Sequence, residues 1–500
     1  MKLAFSLAAA LALSCQAAFA APAPIPPQWA DYVAKVRAAD AIADDEARCK
    51  AYPDLPGNQW RPGAAQARCG LLRKPALSLT QVEALLGRKD GVAELDRRYA
   101  RLLDEHYREP GQREQIFRSL DAFDESEQAG RIARRWLDLA PDSAYAHAAW
   151  ANHHQQLGWN ARGGGTASET GPERFGRMQA AFDVAIPEFR RALELEPRLS
   201  VACYELAAIG RQISRELHDE ASDRCLSIDP YSYYVVYERI QAAQPNWGGS
   251  IEEMREAVAY AERHVTQNPL LGAVLGEAEG FPLSRAGSGP NRAEPLAAVV
   301  RMAPSGTLAA DAGRAYGDAQ DYWTAFAYSS QATRFWPSRG KYRAERGWWL
   351  RELGDYEWAA RDYAIAVAQD PDNEFHANAM ADLIYRTRGA QAARPYYAKL
   401  IDGEMRFGSL PRYCESFVVE QPMPVEAMRC VDQLLSERPD AIEGMGLRAK
   451  ALFRANDPAA TEAIDRYLAE APRIRAREWN HLTDEIEGYK REIDTKRGAK

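Results

Sequence analysis

The sequence predicts an all-α protein, built as a solenoid of antiparallel helix pairs with a helical, disulfide-stapled segment at its N-terminus. Leucine and alanine dominate the apolar residues, whereas valine and isoleucine rarely alternate with polar residues. Strands would need that alternation, so helices are favoured. The stretch 341–372 shows one pair clearly, because Ala359, Tyr363 and Ala366 recur at i, i+4 and i+7 on one helix face.

Prolines that end helices recur along the chain with one period. Pro337 and Pro371 are 34 residues apart, and Pro371 and Pro439 are 68 apart, which is twice that number. Gly347 stands where the first helix must let its neighbour approach closely. Glycine, alanine, aromatic and proline residues at these offsets resemble the tetratricopeptide signature, whose period is 34 residues. The resemblance implies stacked helix pairs, and Gly313 marks a second copy.

A chain of 500 residues is too long for one compact core, so several segments are expected. The predicted segments are a signal peptide (1–20), a Pro-rich leader with a disulfide-stapled segment (21–75), a helical domain with degenerate repeats (76–275), a Gly/Pro-rich connecting loop (276–300), tetratricopeptide-like repeats (301–472) and a C-terminal capping helix (473–500) with Trp479, Leu482 and Ile486 on one face.

The N-terminus has the features of a secretory leader. Lys2 supplies the positive charge, residues 3–13 form a short apolar core, and an A-x-A cleavage motif ends at Ala20. The predicted location is therefore the periplasm. An outer-membrane lipoprotein is the alternative, since Cys15 follows a lipobox-like serine, although Ala12 occupies the position where leucine is expected.

Charge and motifs exclude several classes of function. The formal net charge of −8 and the lack of a sustained basic block argue against nucleic acid as a partner. No apolar run after the leader is long enough to span a membrane. The sequence contains no G-x-S-x-G or H-E-x-x-H motif, and no C-x-x-C spacing that would hold zinc. We predict no cofactor and no metal site.

Six cysteines remain after the leader, and they fall into three local pairs. These are Cys49–Cys69, Cys203–Cys225 and Cys414–Cys430. Six cysteines allow 15 connectivities, but an even count after a signal peptide favours disulfides. We predict pairing between nearest neighbours, and the repeat register places the second and third pairs each across one helix hairpin.

Three stretches resemble a bacterial secreted family that is described only as a domain of unknown function and is often followed by tetratricopeptide-like repeats. They are RCKAYPDLPGNQW near the N-terminus, the RGGG segment at 162–165 and the PNWGGS segment at 245–250. The match extends over residues 43–269. The resemblance implies a helical architecture and a secreted location, and it implies no activity.

Two glycine-rich stretches have a functional and a structural interpretation. Arg162, Gly163, Gly164 and Gly165 would form an anion-binding nest if their N–H groups turned inward, or would only let the insertion 158–178 pack closely. The stretch 247–250 precedes a helix, and there Ser250 with Glu253 is typical of a capping box. The structural interpretation is favoured for both stretches.

Histidines and tryptophans are two further groups of candidate ligand contacts. His147, His153 and His154 share one helix but lack the spacing and the carboxylate of a metal site, so an ordinary helix surface is favoured. The tryptophans of the repeats are typical fillers of the space between helices, although one or two could be exposed for binding. They are Trp323, Trp336, Trp348, Trp349 and Trp358.

The helix positions that line the concave face of such repeats predict a binding groove. Its residues are Arg314, Lys341, Trp348, Arg351, Asn378, Asp382 and Tyr385. This strip is net positive on an acidic protein, so it predicts an acidic or carboxylate-terminated peptide as the ligand. Arginine would pair with the carboxylate and Trp348 would anchor an apolar side chain.

The sequence therefore favours a periplasmic or secreted helical-repeat scaffold that binds a protein or peptide partner of the cell envelope. One alternative is a hydrolase-like envelope enzyme with its site near the insertion 158–178. The other is a purely structural envelope component. The lack of a recognisable catalytic motif favours a binding protein over an enzyme.

Overall fold

A computed structural model describes residues 22–419, 423–471 and 479–498 of the chain. The predicted signal peptide and Cys15 lie outside these residues. The described part consists of helices and their connections, without a strand, and successive helices pack in pairs. The predicted all-α solenoid is therefore confirmed. Two compact units are present: an N-terminal unit (26–337) and a C-terminal unit (338–500, with the segment that ends at residue 25).

The N-terminal unit contains seventeen described α-helices. They are α1 (Pro27–Asp40), α2 (Asp45–Ala51), α3 (Ala64–Gly70), α4 (Leu79–Leu86), α5 (Gly91–Arg108), α6 (Gln115–Leu120), α7 (Glu127–Leu139), α8 (Ala144–Arg162), α9 (Pro172–Leu195), α10 (Ser200–Ile213), α11 (Arg215–Ile228), α12 (Tyr233–Ala242), α13 (Ile251–Arg263), α14 (Glu277–Arg285), α15 (Ala293–Met302), α16 (Gly306–Asp318) and α17 (Tyr322–Phe335). Short 3-10 turns occur at Pro110–Gln112, Pro245–Trp247, Pro269–Val274 and Pro290–Arg292.

The C-terminal unit continues the same pattern of helix pairs. Its described helices are α18 (Gly340–Glu352), α19 (Tyr356–Gln369), α20 (Glu374–Arg388), α21 (Ala390–Tyr397), α22 (Arg406–Glu415), α23 (Pro424–Glu437), α24 (Ile442–Arg454), α25 (Ala460–Glu470) and α26 (Asn480–Gly498). None of the helices in the described residues is both long enough and apolar enough to cross a membrane.

Glycines of the first helices set the close spacing of two repeat pairs. A Cβ atom on Gly347 of α18 would lie 2.9 Å from Cε1 of Tyr363 in α19. A Cβ atom on Gly313 of α16 would lie 2.5 Å from Oγ of Ser329 in α17. Both distances are too short for non-bonded carbon or oxygen atoms, so only glycine allows this approach. The predicted role of the repeat glycines is confirmed.

The turns between paired helices end in side-chain caps. Oδ1 of Asp321 accepts a hydrogen bond from the backbone N–H of Thr324 at 3.2 Å, and α17 begins there. Oδ1 of Asp355 does the same for Trp358, also at 3.2 Å, at the start of α19. Each cap satisfies a backbone donor that the first helical turn leaves without a partner.

A buried ion cluster joins α18 to α19. Asp362 is 1% exposed and Arg346 is fully buried. The Arg346 guanidinium donates to both carboxylate oxygens, with Nε 2.7 Å from Oδ2 and Nη2 2.8 Å from Oδ1. Nη1 of Arg343 donates to Oδ1 at 3.1 Å. Two arginines thus share one carboxylate in the interior of the pair.

All three predicted disulfides are present. Cys49 and Cys69 link α2 to α3 with a Cα–Cα distance of 5.5 Å. Cys203–Cys225 links α10 to α11 at 5.6 Å, and Cys414–Cys430 links α22 to α23 at 5.3 Å. The second and third bonds therefore each cross one helix hairpin, as the repeat register predicted.

The predicted Gly/Pro-rich loop at 276–300 is wrong, because most of this stretch lies in α14 and α15. Two of its glycines, Gly276 and Gly280, lie at close helix contacts instead. A Cβ atom on Gly280 would lie 2.6 Å from Cδ1 of Leu308 in α16. Pro282 is accommodated inside α14, and Pro290 begins a short 3-10 turn. The boundary between the compact units also lies elsewhere, after residue 337.

The C-terminal helix α26 buries the apolar face that the sequence predicts for it. Trp479, Leu482 and Ile486 are all less than a tenth exposed, and they pack in one cluster with Ile464 and Tyr467 of α25. The first residues of the predicted capping segment, 473–478, lie outside the described part of the chain.

Candidate ligand-binding surfaces

The predicted groove residues of α18 take two different positions. Lys341 is exposed, and Trp348 keeps 45% of its surface exposed. Arg351, by contrast, is only 6% exposed. Its guanidinium lies 3.8 Å from the centre of the Trp348 ring, and its Nη2 donates to Oε1 of Glu352 at 2.6 Å. The prediction that Arg351 is available to a peptide carboxylate is therefore wrong.

The three predicted residues of α20 share one helix face and are half-buried. The Tyr397 hydroxyl donates to Oδ1 of Asp382 at 2.6 Å, and Nδ2 of Asn378 lies 3.4 Å from Oδ2 of the same carboxylate. The Tyr385 hydroxyl donates to Oε2 of Glu415 at 3.0 Å. Neighbouring helices thus hold these side chains in fixed orientations.

Glu415 of α22 is the centre of the polar network next to this face. It is 1% exposed, and Arg412 and His481 lie 2.9 Å and 3.1 Å from its carboxylate oxygens. Burial acts to raise the pKa of Glu415, but hydrogen bonds from His481, Arg412 and Tyr385 hold that pKa below its ordinary value. The carboxylate is therefore ionised and neutralised locally.

Arg314 belongs to the other compact unit. It lies on α16, about half exposed, and forms an ion pair with Asp311 one turn away. The C-terminal unit therefore contains six of the seven predicted groove residues, and Arg314 is part of the N-terminal unit.

The two most exposed aromatic residues of the described C-terminal unit were not predicted as ligand contacts. Phe375 is 64% exposed and Phe407 is 63% exposed, each at the second position of its helix. Phe375 follows Lys341 by 34 residues, so it is the next copy of a position that the repeat already marked. The repeat period alone could therefore have predicted Phe375 as a groove residue.

The other repeat tryptophans mainly fill space between helices. Trp349 and Trp358 are 9% and 4% exposed, and Trp323 and Trp336 are half-buried. Trp348 is thus the most exposed of the five.

The glycine-rich loop after α8 satisfies its own polar groups. Nη1 of Arg162 donates to the carbonyl oxygens of Gly163 and Gly165 at 2.9 Å and 3.0 Å, and Nε donates to Gln212 at 3.1 Å. The backbone N–H of Thr166 donates to the Glu169 carboxylate at 2.7 Å. An internal carboxylate takes the place of a bound anion, so the loop, including Gly164, has the geometry of a self-contained turn.

The stretch 247–250 forms the turn and the N-cap before α13, which is the structural role that the sequence favoured. Gly248 has a φ of 88°, and a Cβ on Gly249 would lie 2.6 Å from the carbonyl carbon of Ala243. Oγ of Ser250 accepts a hydrogen bond from the N–H of Glu253 at 3.1 Å and caps the helix.

The histidines of α8 connect it to neighbouring segments. Nε2 of His147 lies 2.9 Å from the carbonyl oxygen of Pro141, and its Nδ1 contacts Glu188. Nδ1 of His153 lies 2.6 Å from the carbonyl oxygen of Asp124. Burial, with a smaller contribution from His153, lowers the pKa of His154 to about 4. Within residues 22–419, 423–471 and 479–498, no group of three or more His, Cys, Asp or Glu is arranged to hold a metal ion.

The N-terminal unit contains a cavity of about 420 Å³, called here the inner cavity, on the adjoining helices α8, α10 and α12. Side chains spaced by three or four residues on these helices line most of it. The lining residues are Asp121, Asp124, Gln155, Gln156, Trp159, Tyr204, Glu205, Ala208, Arg211, Tyr234 and Glu238.

The carboxyl groups of the inner cavity differ in their partners. Glu238 is paired with Arg211, whose Nε lies 2.6 Å from Oε1. Oε2 of Glu205 accepts a hydrogen bond from Nε2 of Gln155 at 2.6 Å. Burial raises the pKa of both glutamates, and that of Glu205 most strongly. The partner of Glu205 is therefore the neutral amide of Gln155, whereas the partner of Glu238 is the charged guanidinium of Arg211.

Aromatic rings form one wall of the inner cavity. The Tyr204 and Tyr234 ring centres are 5.3 Å apart, and Phe117 stacks on Tyr234 at 4.5 Å. Sequence reasoning did not find this cavity, although a signal exists. Glu205 and Glu238 are 33 residues apart, so a glutamate recurs at the same position of two successive copies.

Comparison with known proteins returns structural neighbours but no family. No family model matches the sequence, and no curated protein matches it significantly. The TPR domain of P58(IPK) aligns over 78% of this chain and 99% of its own, at 13% identity and a TM-score of 0.23. The Cut9–Hcn1 hetero-tetramer of the APC/C aligns over 91% and 95%, at 12% identity and a TM-score of 0.33.

A third neighbour is yeast Tom70, which aligns over 80% of this chain and 97% of its own, at 13% identity and a TM-score of 0.29. These TM-scores are low, so the tetratricopeptide-like architecture rests on the helix pairing of the chain itself.

Proposed function

We propose that this protein is a binding scaffold of the bacterial cell envelope, which holds an extended segment of a protein partner on its C-terminal unit. The observation that carries the proposal is the exposure of Trp348 and Phe375 on the adjoining helices α18 and α20. Large aromatic side chains at the surface supply most of the binding energy in many interfaces. Stacked helix pairs are well suited to present such side chains side by side.

Fixed polar groups next to these rings support the same function. Asn378, Asp382 and Tyr385 are held by hydrogen bonds within the protein, so little side-chain entropy is lost when a peptide binds there. Arg351 is already paired with Glu352, which removes the bidentate partner of a peptide carboxylate. We therefore propose that Trp348 and Phe375 contact apolar side chains of the partner.

The periplasm is the proposed location. The leader predicted at 1–20 and the resemblance to a secreted bacterial family both favour it. Three disulfides are compatible with an oxidising compartment, where such bonds persist. Lipidation at Cys15 would instead attach the chain to the outer membrane.

A double substitution tests the binding surface. Trp348→Ala with Phe375→Ala is expected to weaken binding of a partner captured from periplasmic extract by at least about 30-fold, since each aromatic anchor contributes about 1 kcal/mol or more. The affinity of the purified partner is measured for both proteins by titration calorimetry.

Ile365→Ala is the matched control for this test. Ile365 is 38% exposed but lies on α19, the second helix of its pair. Its removal is expected to leave the affinity unchanged. Equal binding by the wild type and the double variant would exclude these two rings as the anchors.

Hydrolysis in the inner cavity is a second candidate function, and one observation favours it. The cavity is lined by ionisable groups and lies within one helical turn of Arg162, because Trp159 is part of its wall. In the part of the chain that the structure describes, its lining includes no serine, threonine, cysteine or histidine. Catalysis there would therefore rest on carboxyl groups as general acid and base.

A substrate screen tests this second function. Wild type and Glu205→Gln are assayed with chromogenic ester, glycoside and peptide substrates. If the cavity is catalytic, turnover by the wild type is expected to fall by at least about 100-fold in the variant. A wild type without turnover on any of these substrates would contradict this function.

A further inference from the structure

The inner cavity contains a buried carboxyl group that lacks a cationic partner. Glu205 is only 4% exposed, and one of its oxygens, Oε2, accepts a hydrogen bond from Gln155. The other oxygen, Oε1, has neither a hydrogen bond nor an ion pair within the described residues. A buried carboxylate is normally paired, because an isolated charge is costly to remove from water.

The charges around Glu205 leave an excess of carboxyl groups. Among the described residues, four carboxyl groups line the inner cavity, and Arg211 is the one basic residue of the lining. Arg211 forms an ion pair with Glu238, with Nε 2.6 Å from Oε1. Asp121 forms an ion pair with Arg118, whose Nη1 lies 3.0 Å from Oδ2 and which is not part of the lining. A cation that entered the cavity would therefore meet a carboxyl group that no basic residue of the lining pairs with.

The walls are suited to an organic cation. Trp159, Tyr204 and Tyr234 line the cavity, and aromatic rings attract ammonium and guanidinium groups through their π-electrons. The hydroxyl groups of both tyrosines have no hydrogen-bond partner within the part of the chain that is described. They add two acceptors for the N–H groups of a ligand.

We propose that the inner cavity binds an ammonium or guanidinium cation, which pairs with Glu205 and lies against the rings of Trp159, Tyr204 and Tyr234. The volume of about 420 Å³ lies within the range of small-molecule sites and also accepts one long side chain. The cation is either a small free molecule or a lysine or arginine side chain of a peptide. This site is independent of the surface around Trp348.

Binding is expected to release a proton. Burial, together with the charges of Asp121 and Glu238, raises the pKa of Glu205 well above its ordinary value. Without a ligand, Glu205 therefore stays protonated to a higher pH than an exposed glutamate does. A bound cation stabilises the ionised carboxylate, so the proton of Glu205 is released on binding. The affinity for the cation therefore rises with pH, up to the pH at which Glu205 is already ionised in the empty site. The other ionisable groups that face it are Asp121, Asp124, Tyr204, Arg211, Tyr234 and Glu238.

Titration calorimetry with two probes tests the site. Agmatine represents the free cation, and acetyl-Gly-Arg-Gly-amide represents a peptide side chain, with acetyl-Gly-Gln-Gly-amide as the neutral comparison. Glu205→Gln keeps the shape of the side chain and is expected to weaken binding of the favoured probe by at least about tenfold. Glu216→Gln, an exposed change on α11, is the control and is expected to bind like the wild type.

A second readout separates loss of the site from loss of the fold. Titrations in buffers of different ionisation enthalpy are expected to show that the wild type releases protons on binding, and that the release falls as the pH is raised. Tyr204→Phe with Tyr234→Phe is expected to weaken binding and to retain that proton release. Tighter binding of agmatine identifies a free cation, and tighter binding of the arginine peptide identifies a peptide partner.

Two results would overturn the proposal. One is a wild type that binds neither cationic probe more tightly than the neutral peptide. The other is a Glu205→Gln variant that binds the probes with wild-type affinity at every pH.

Discussion

Asp362→Ala is expected to lower the free energy of unfolding of the C-terminal unit by about 3–5 kcal/mol, the largest loss among the substitutions considered. The carboxylate is shared by Arg343 and Arg346, and Asp362 and Arg346 are almost fully buried. Its removal takes away the carboxylate that both buried guanidinium groups contact. Urea unfolding followed by circular dichroism measures the loss.

Two further variants identify the cause of that loss. Asp362→Asn keeps the shape of the side chain and removes its charge, so it is expected to lose most of the same free energy. Glu357→Ala lies in the same helix but breaks only an exposed pair with Arg361, and it is expected to unfold like the wild type. If Asp362→Ala unfolded at the wild-type urea concentration, the ion cluster would not stabilise the α18–α19 pair.

Gly210→Ala is expected to destabilise the N-terminal unit by about 1–3 kcal/mol, because the added methyl group has no room. A Cβ atom at Gly210 would lie 2.7 Å from Cα of His218, which is the backbone of the neighbouring helix α11. The two helices would have to separate, although the Cys203–Cys225 bond holds them together. The midpoint of urea unfolding measures the effect.

Gly176→Ala is the matched control, with an effect of opposite sign. Gly176 lies inside α9, and a Cβ atom there would meet nothing within 4 Å. Alanine is favoured over glycine in an open helix position by about 0.5–1 kcal/mol, so this variant is expected to be more stable than the wild type. Equal stability of both variants would show that the close approach at Gly210 has no energetic consequence.

The repeat architecture was predictable because it depends on local rules. Gly313 and Gly347 stand at the same position of successive copies, and each lies where the second helix comes close. The disulfides were predictable for the same reason, since cysteines of one hairpin are near each other in sequence as well as in space. Gly280 followed the same packing rule but was interpreted as a loop residue, because glycine and proline were counted together there.

The binding surfaces were less predictable, because they depend on contacts between side chains. Helix position alone indicates that Arg351 faces the groove, but not that it stacks on Trp348 and pairs with Glu352. The inner cavity needs three helices to meet, and Gln155 and Glu205 are 50 residues apart. The long insertion after α8 removes the period that would have related them.

The short span of every disulfide has a consequence for the order in which the bonds form. The paired cysteines are separated by 20, 22 and 16 residues, and no pair interleaves with another. If the chain is exported N-terminus first through the predicted leader, each second cysteine would arrive when its native partner is the one cysteine after the leader that is not yet paired. The order of export would then select the native pairs, a task that chains with interleaved disulfides leave to an isomerase.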